Sequence, residues 1–360
     1  MQRRTGMPHG ATTVLGVVLL VSTACGGSVV TQGNSRPTTP TGSTSSASAA
    51  SATGGLFRTG QPWTTDVSGT EKSERSDAII AELKNLGGWG NDNVLQTDFA
   101  IPIFFADANT PRSQVVGLED YCFGGGPDCD DVPAQMPVPA DANIEGSDDL
   151  SCDIAEQDCH LLVAERDENK LYEVYQANKV GDDITATGFF VWDLGKTYPE
   201  TLRGDQCTSA DAAGFPIAGL TPTADEVAAG EVNHALRFIL PNDRMKADVY
   251  VRPATHAGGP ESTDPDAPPY GVRFRLKADF DDSAYNDSQK VILQALKEHG
   301  MFLSDGGEIA LTFADDRTST AKWADLGIDP QSFSSITPDA FEVVELGDEV
   351  DVTYECVRNP

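Results

Sequence analysis

The sequence predicts a mainly β or α+β fold: one compact, disulfide-stapled domain of short strands with about three short helices. Three observations carry this. Apolar residues recur in short runs, several alternating with polar ones at the period of two that marks half-buried strands. Capped stripes at helical spacing occur in only about three places. Strand-like and helical runs do not alternate regularly, so a doubly wound parallel sheet is not expected.

In chain order, residues 1–24 read as an export signal. Arg3 and Arg4 form a positive start, and residues 11–24 form an apolar run too short to span a bilayer. The run ends in Val21-Ser22-Thr23-Ala24-Cys25, which resembles the lipobox of bacterial lipoproteins, with Ser22 where that motif usually has Leu. The resemblance implies a lipid on Cys25. Residues 25–55 are almost all Ser, Thr, Gly, Ala and Pro, too poor in apolar side chains to offset chain entropy. They read as a disordered tether reaching roughly 30 Å. The expected place is the outer face of a bacterial membrane, either periplasm or cell surface. Residues 56–360 are expected to fold as a single extracytoplasmic domain, and no later run is apolar enough to cross a bilayer.

The net charge of -31 argues against nucleic acid, whose phosphates need basic patches. It leaves solubility or cation binding as its meaning. Apart from Cys25 there are six cysteines, an even count that suggests disulfides in an exported chain. Proximity favours Cys122–Cys129 and Cys152–Cys159, leaving Cys207–Cys356 to tie the middle of the chain to its end. No C-x-x-C supports zinc.

Ser76 is expected to cap a helix with Ile79, Ile80, Leu83 and Leu86 on one stripe, stopped by Gly87. Residues 99–106 read as a buried strand that Pro102 pushes to an edge. Residues 107–159 read as long, irregular and stapled. Residues 160–177 read as a hairpin around Asp167-Glu-Asn-Lys, and 184–192 as a further strand. Thr223-Ala-Asp-Glu226 is a capping box, closed by Gly230. Residues 232–240 alternate cleanly, with His234 on the apolar face, and 246–252 read as the partner strand. Residues 272–278 read as a half-buried strand with Arg273, Arg275 and Lys277 on a basic face. Ser288 is expected to start a helix closed by Gly300. Residues 341–346 and 350–356 are expected as the last strands.

The runs CTSADAAGFPI, DEVAAGEVNHALRF, YVRPATH, PPYGVRFRLKADF and VILQALKEHGMFLSDGG resemble a family of exported bacterial proteins of uncharacterised activity, over about residues 99–347. The resemblance implies an extracytoplasmic setting and a lean towards polysaccharide. It carries no residue roles.

Residues 205–256 hold the richest chemistry. There is no G-x-S-x-G, H-E-x-x-H, P-loop or G-x-G-x-x-G. Asp279, Asp281 and Ser283 begin a calcium-loop pattern, but Ala284 and Lys290 break it. His234, beside Asn233 and near Glu231, is a candidate acid–base imidazole; the alternative is a bonded core histidine. His256 sits just past a strand end, where sites often form. Arg237 and Arg252 are candidate ligands for a carboxylate or sugar acid, or ordinary ion pairs. Asp211 and Glu226 are the carboxyl pair that glycoside hydrolysis would need, although Glu226 is already explained by its cap. Residues 141–158 hold seven carboxylates and no Lys or Arg, which points to bound Ca2+ or to solvation. Trp89, Trp192, Tyr172 and Tyr175 are either a sugar platform or core. The expectation is a membrane-anchored lipoprotein acting on polysaccharide as a hydrolase. The alternative is a non-catalytic carbohydrate-binding, cation-binding or structural surface lipoprotein.

Overall fold

Alternation along a strand sends Leu236, Phe238 and Leu240 one way and Arg237 and Ile239 the other, and this strand lies deep in the sheet that organises the molecule. The structure, a computed structural model, describes residues 53–118 and 127–360. They belong to one unit, Ala49–Pro360. The central strands are β1 (Thr97–Ala106), β2 (Leu161–Glu165), β3 (Lys170–Tyr175), β4 (Gly188–Asp193), β5 (Leu236–Leu240), β6 (Arg273–Leu276), β7 (Met301–Gly306), β8 (Leu311–Asp315) and β9 (Phe341–Val344). Their order is β4-β3-β2-β1-β8-β5-β7-β6-β9. β1 runs parallel to β2 and β8, and β5 parallel to β7; the other pairings are antiparallel. A smaller sheet orders Ala134–Pro137, Arg112–Gly117, Asp183–Ala186 and Asn178–Val180. The longer helices are α1 (Ser76–Asn85), α2 (Ala224–Ala229) and α3 (Asp287–Glu298), with single turns at Gly90–Asn93 and Ile217–Leu220. The fold is the expected α+β, strand-rich domain.

Local signals translate directly. Thr223 Oγ1 accepts the Glu226 N–H while the Glu226 carboxylate accepts the Thr223 N–H, and Gly230 closes α2 at φ 94°. Asn286, rather than Ser288, caps α3 through the Gln289 N–H. Ser76 lies inside the first turn of α1, and its hydroxyl accepts the Val343 N–H, tying the helix to β9.

Several expected elements differ, each for a non-local reason. β1 is central, not an edge. Residues up to Pro102 pair with β8, and from Ile103 onward with β2. Pro102 stands where β1 changes partner, and a missing donor there disrupts neither ladder's interior. Residues 184–192 break at Thr187, so one half joins the small sheet and the other forms β4. The region 107–159 is not wholly irregular, because two strands of the small sheet come from it. The partner of β5 is β7, whereas Val249–Val251 pairs with Glu349–Asp351. Of the expected basic face, Arg273 and Arg275 are buried and Lys277, just past β6, is exposed. Arg273 donates to the carbonyls of His299 and Thr65 and to Glu345, and Arg275 to Glu342 and the carbonyls of Val67 and Thr70.

The larger core packs Trp89 edge-on against Phe238 and Phe341 at 6.2 and 5.5 Å. A second core lies between the small sheet and the β2–β3 hairpin, joining Val115, Met136 and Ile184 to Leu161, Val163 and Val174. Each such side chain, once fully buried, contributes about 1.5–3 kcal/mol. Trp89 and Trp192 are wholly buried and Tyr172 nearly so, and Tyr175 is half-buried against the large core. They are therefore core rather than an exposed platform. Cys152–Cys159 and Cys207–Cys356 are disulfides, and Cys129 is disulfide-bonded too. Cys25 and Cys122 lie outside the described residues.

Candidate functional site

The structure sorts the candidate residues into three surroundings. The first is a sealed charge network beneath residues 203–220. Asp211 has no exposure. Its Oδ1 accepts Arg237 Nε–H at 3.1 Å and Nη2–H at 2.9 Å, while its Oδ2 has no partner. Arg237 also donates to Thr312 Oγ1 and Asp305 Oδ2, each at 2.8 Å. Burial drives the Asp211 carboxyl up to about 8, against the pull of Arg237 and helped by the charge of Asp305.

Neighbours that sequence reasoning missed extend this network. His160 donates through Nε2 to the Ala210 carbonyl at 3.0 Å and through Nδ1 to Glu145 at 2.7 Å. Both partners only accept, so both nitrogens carry hydrogen and the ring is a cation. Burial opposes that charge, but Glu145 outweighs it and raises His160 to about 9. Glu173 accepts the Ala218 N–H and Trp192 Nε1–H, and burial lifts it to about 7. His160 and Glu173 read as ordinary residues of a hairpin because the groups they meet come from elsewhere in the chain. His256 donates Nδ1–H to the Ala212 carbonyl at 2.8 Å, and burial lowers its pKa, leaving a neutral structural ring.

The network reaches solvent at Asp305, one wall of an open groove of about 590 Å³ where Asp158, Asp243, Glu261 and Glu308 also converge beside Tyr270. Among the described residues, no group of three or more His, Cys, Asp or Glu is arranged to hold a metal ion.

Arg252 is separate. It pairs with Asp205 at 2.6 Å and lies over the Tyr250 ring at 5.3 Å, so its charge is already engaged.

The third surrounding is a cavity of about 330 Å³, within the usual size range of small-molecule sites. Phe105, Ile103 and Leu56 supply its apolar wall; Glu226, Asn233 and Thr318 are among its polar groups. Glu226 Oε2 accepts the Thr223 N–H at 2.9 Å and its hydroxyl at 2.8 Å, and Oε1 lies 3.5 Å from His234 Nε2. Burial pushes Glu226 upward, but the nearby His234 ring and the bonds from Thr223 prevail and hold it below the ordinary range. His234 is buried. Its Nδ1 donates to the Ala235 carbonyl at 2.9 Å, and Glu226 raises its pKa despite burial. Gly55 is needed here: with φ at 70°, a Cβ on it would stand 2.9 Å from the His234 ring and 3.0 Å from the Glu226 carboxylate. Phe105 is 39% exposed, with the Arg166 guanidinium 4.4 Å from its ring centre.

Asp211 and Glu226 are thus not brought together. One is sealed beside Arg237 and the other lines a cavity beside His234. Comparison with protein-family models, with curated proteins and with solved structures finds no match.

Proposed function

We propose that this protein is a lipid-anchored, extracytoplasmic glycan-binding protein that holds its ligand without cutting it. The observation that carries the reading is the half-exposed Phe105 ring on the wall of a cavity ringed by hydroxyl, amide and carboxylate groups. A sugar presents an apolar face and a rim of hydroxyls, and that combination matches such a wall. The leader ending in Cys25 and the Ser/Thr-rich stretch after it support the anchor.

Turnover is the weaker reading. Glycoside hydrolysis uses one protonated and one ionised carboxyl flanking the bond. Glu226 is held ionised, and the strongly raised carboxyls Asp211 and Glu173 are wholly buried and do not line this cavity. Ca2+ has no part in the reading.

The test is binding of the full-length protein to an array of bacterial and plant glycans, with Phe105→Ala beside it. Retention of a glycan by the wild type and its loss in the variant is the expected result. Equal retention by both sinks the assignment of the cavity. Membrane fractionation of Cys25→Ser tests the anchor, and a variant still in the membrane fraction counts against it.

A further inference from the structure

We infer that the Phe105–Glu226 cavity selects glycans that are uncharged or carry free amines, and rejects those bearing carboxylate or sulfate. The inference rests on the binding reading above and names its ligand class.

It follows from counting which groups at the wall are still free to bond. Glu226 Oε2 is occupied by the two Thr223 donors. Oε1 has only His234 Nε2 at 3.5 Å, beyond an ordinary N–H···O bond, and the side chain is 22% exposed. Oε1 therefore keeps acceptor capacity for an incoming O–H or N–H. His234 supplies charge but no access. Its Nδ1–H is fixed by the Ala235 carbonyl, so the second nitrogen faces Glu226 as an N–H only when the ring is a cation. The ring is 1% exposed. It holds Glu226 ionised from behind, and a ligand cannot touch it.

The rest of the wall has the same sign. Asp225 accepts the backbone N–H groups of Ala321 and Thr320 at 2.7 and 3.1 Å, which holds its carboxylate in place at the cavity. Glu231 adds a third carboxylate. Arg166 is the cation on this wall, and it lies against the Phe105 ring. An acidic sugar would therefore meet three carboxylates against the single guanidinium of Arg166, a wall of net negative charge. A hydroxyl meets an acceptor, and an ammonium meets an acceptor of opposite charge. Arg237 and Arg252, expected as binders of sugar acids, are consumed by Asp211, Asp305 and Asp205.

The experiment is calorimetric titration of the full-length protein in detergent with three tetrasaccharides of one linkage. One is built of glucosamine, one of N-acetylglucosamine and one of glucuronate. The glucosamine and N-acetylglucosamine forms are expected to bind at least about tenfold more tightly than the glucuronate form. Added salt should weaken the glucosamine form more than the acetylated one. Glu226→Gln keeps the capping box, because Gln suits that position as well as Glu. It should narrow the gap between glucosamine and glucuronate by several-fold, with a cooperative melting transition confirming the fold. Glucuronate binding equal to or tighter than the others overturns the inference and leaves the glycan reading standing. Silence from all three overturns both.

Discussion

The molecule draws two carboxylate–cation pairs from residues 211–237 and gives them opposite characters. Asp211 with Arg237 is sealed, and its carboxyl is driven up. Glu226 with His234 opens onto a cavity, and its carboxyl is held down. Burial is the largest influence on both. The difference lies in how many donors reach each carboxylate. Glu226 has the Thr223 N–H and O–H on Oε2, with the His234 ring 3.5 Å from Oε1. Asp211 has one guanidinium gripping Oδ1 alone, shared with Asp305, while Oδ2 stands bare. A cationic neighbour is thus not enough to fix the state of a buried acid. The number of donors around the carboxylate decides it.

The contrast can be broken most severely at Arg237. Arg237→Met leaves Asp211 buried and Asp305 unpaired, and should cost about 3–5 kcal/mol in denaturant unfolding. A loss within the range of an ordinary surface change contradicts the sealed network.

The open side responds differently. Phe105→Ala should weaken glycan binding roughly tenfold, equivalent to about 1.4 kcal/mol, with little change in stability. A variant that unfolds instead makes Phe105 a core residue and removes the platform.

The pH dependence of stability sharpens the comparison further. Asp211, Glu173 and His160 all hold their protons more tightly folded than unfolded. Each contribution is complete below the group's unfolded value. It is lost as pH rises through about 7 for Glu173, about 8 for Asp211 and about 9 for His160. The melting midpoint should therefore fall between pH 6 and pH 9. Asp211→Asn should flatten that fall below about pH 8, and a parallel curve speaks against its raised pKa. The smallest expected effect is that of a chelator. The acidic run of residues 141–158 spends Glu145 on His160 and Asp153 on the Ala155 N–H. The midpoint with and without chelator should coincide, and a drop on chelation would restore Ca2+.

Most of what was legible in the sequence was local; the Cys207–Cys356 bridge, reached by elimination, is the exception. The capping box at Thr223, the β2–β3 hairpin and the Cys152–Cys159 bridge each depend on residues within a few positions. The site depended on pairings across the chain. His160 meets Glu145 and Ala210, and Arg237 meets Asp211, Thr312 and Asp305. No period or spacing encodes such meetings. β7 and β8 escaped notice because MFLSDG and LTFAD carry no clean alternation beyond a few residues. Arg273 and Arg275 looked like a solvent face because alternation reports polarity, and here the polar side is covered by residues 65–70. Phe105 gave no signal at all. It follows Phe104 in an apolar run, and only the fold decides which ring is buried and which stands in the open.

The central claim is binding without turnover, and mass spectrometry of the glycan tests it most directly. The full-length protein is incubated with a glycan it retains, and the bound and free fractions are weighed. The account predicts an intact glycan in both fractions, with binding lost in Phe105→Ala and kept in Asp211→Asn. Release of shorter fragments by the wild type, abolished in Asp211→Asn, would contradict it and make the sealed carboxyl part of an enzyme.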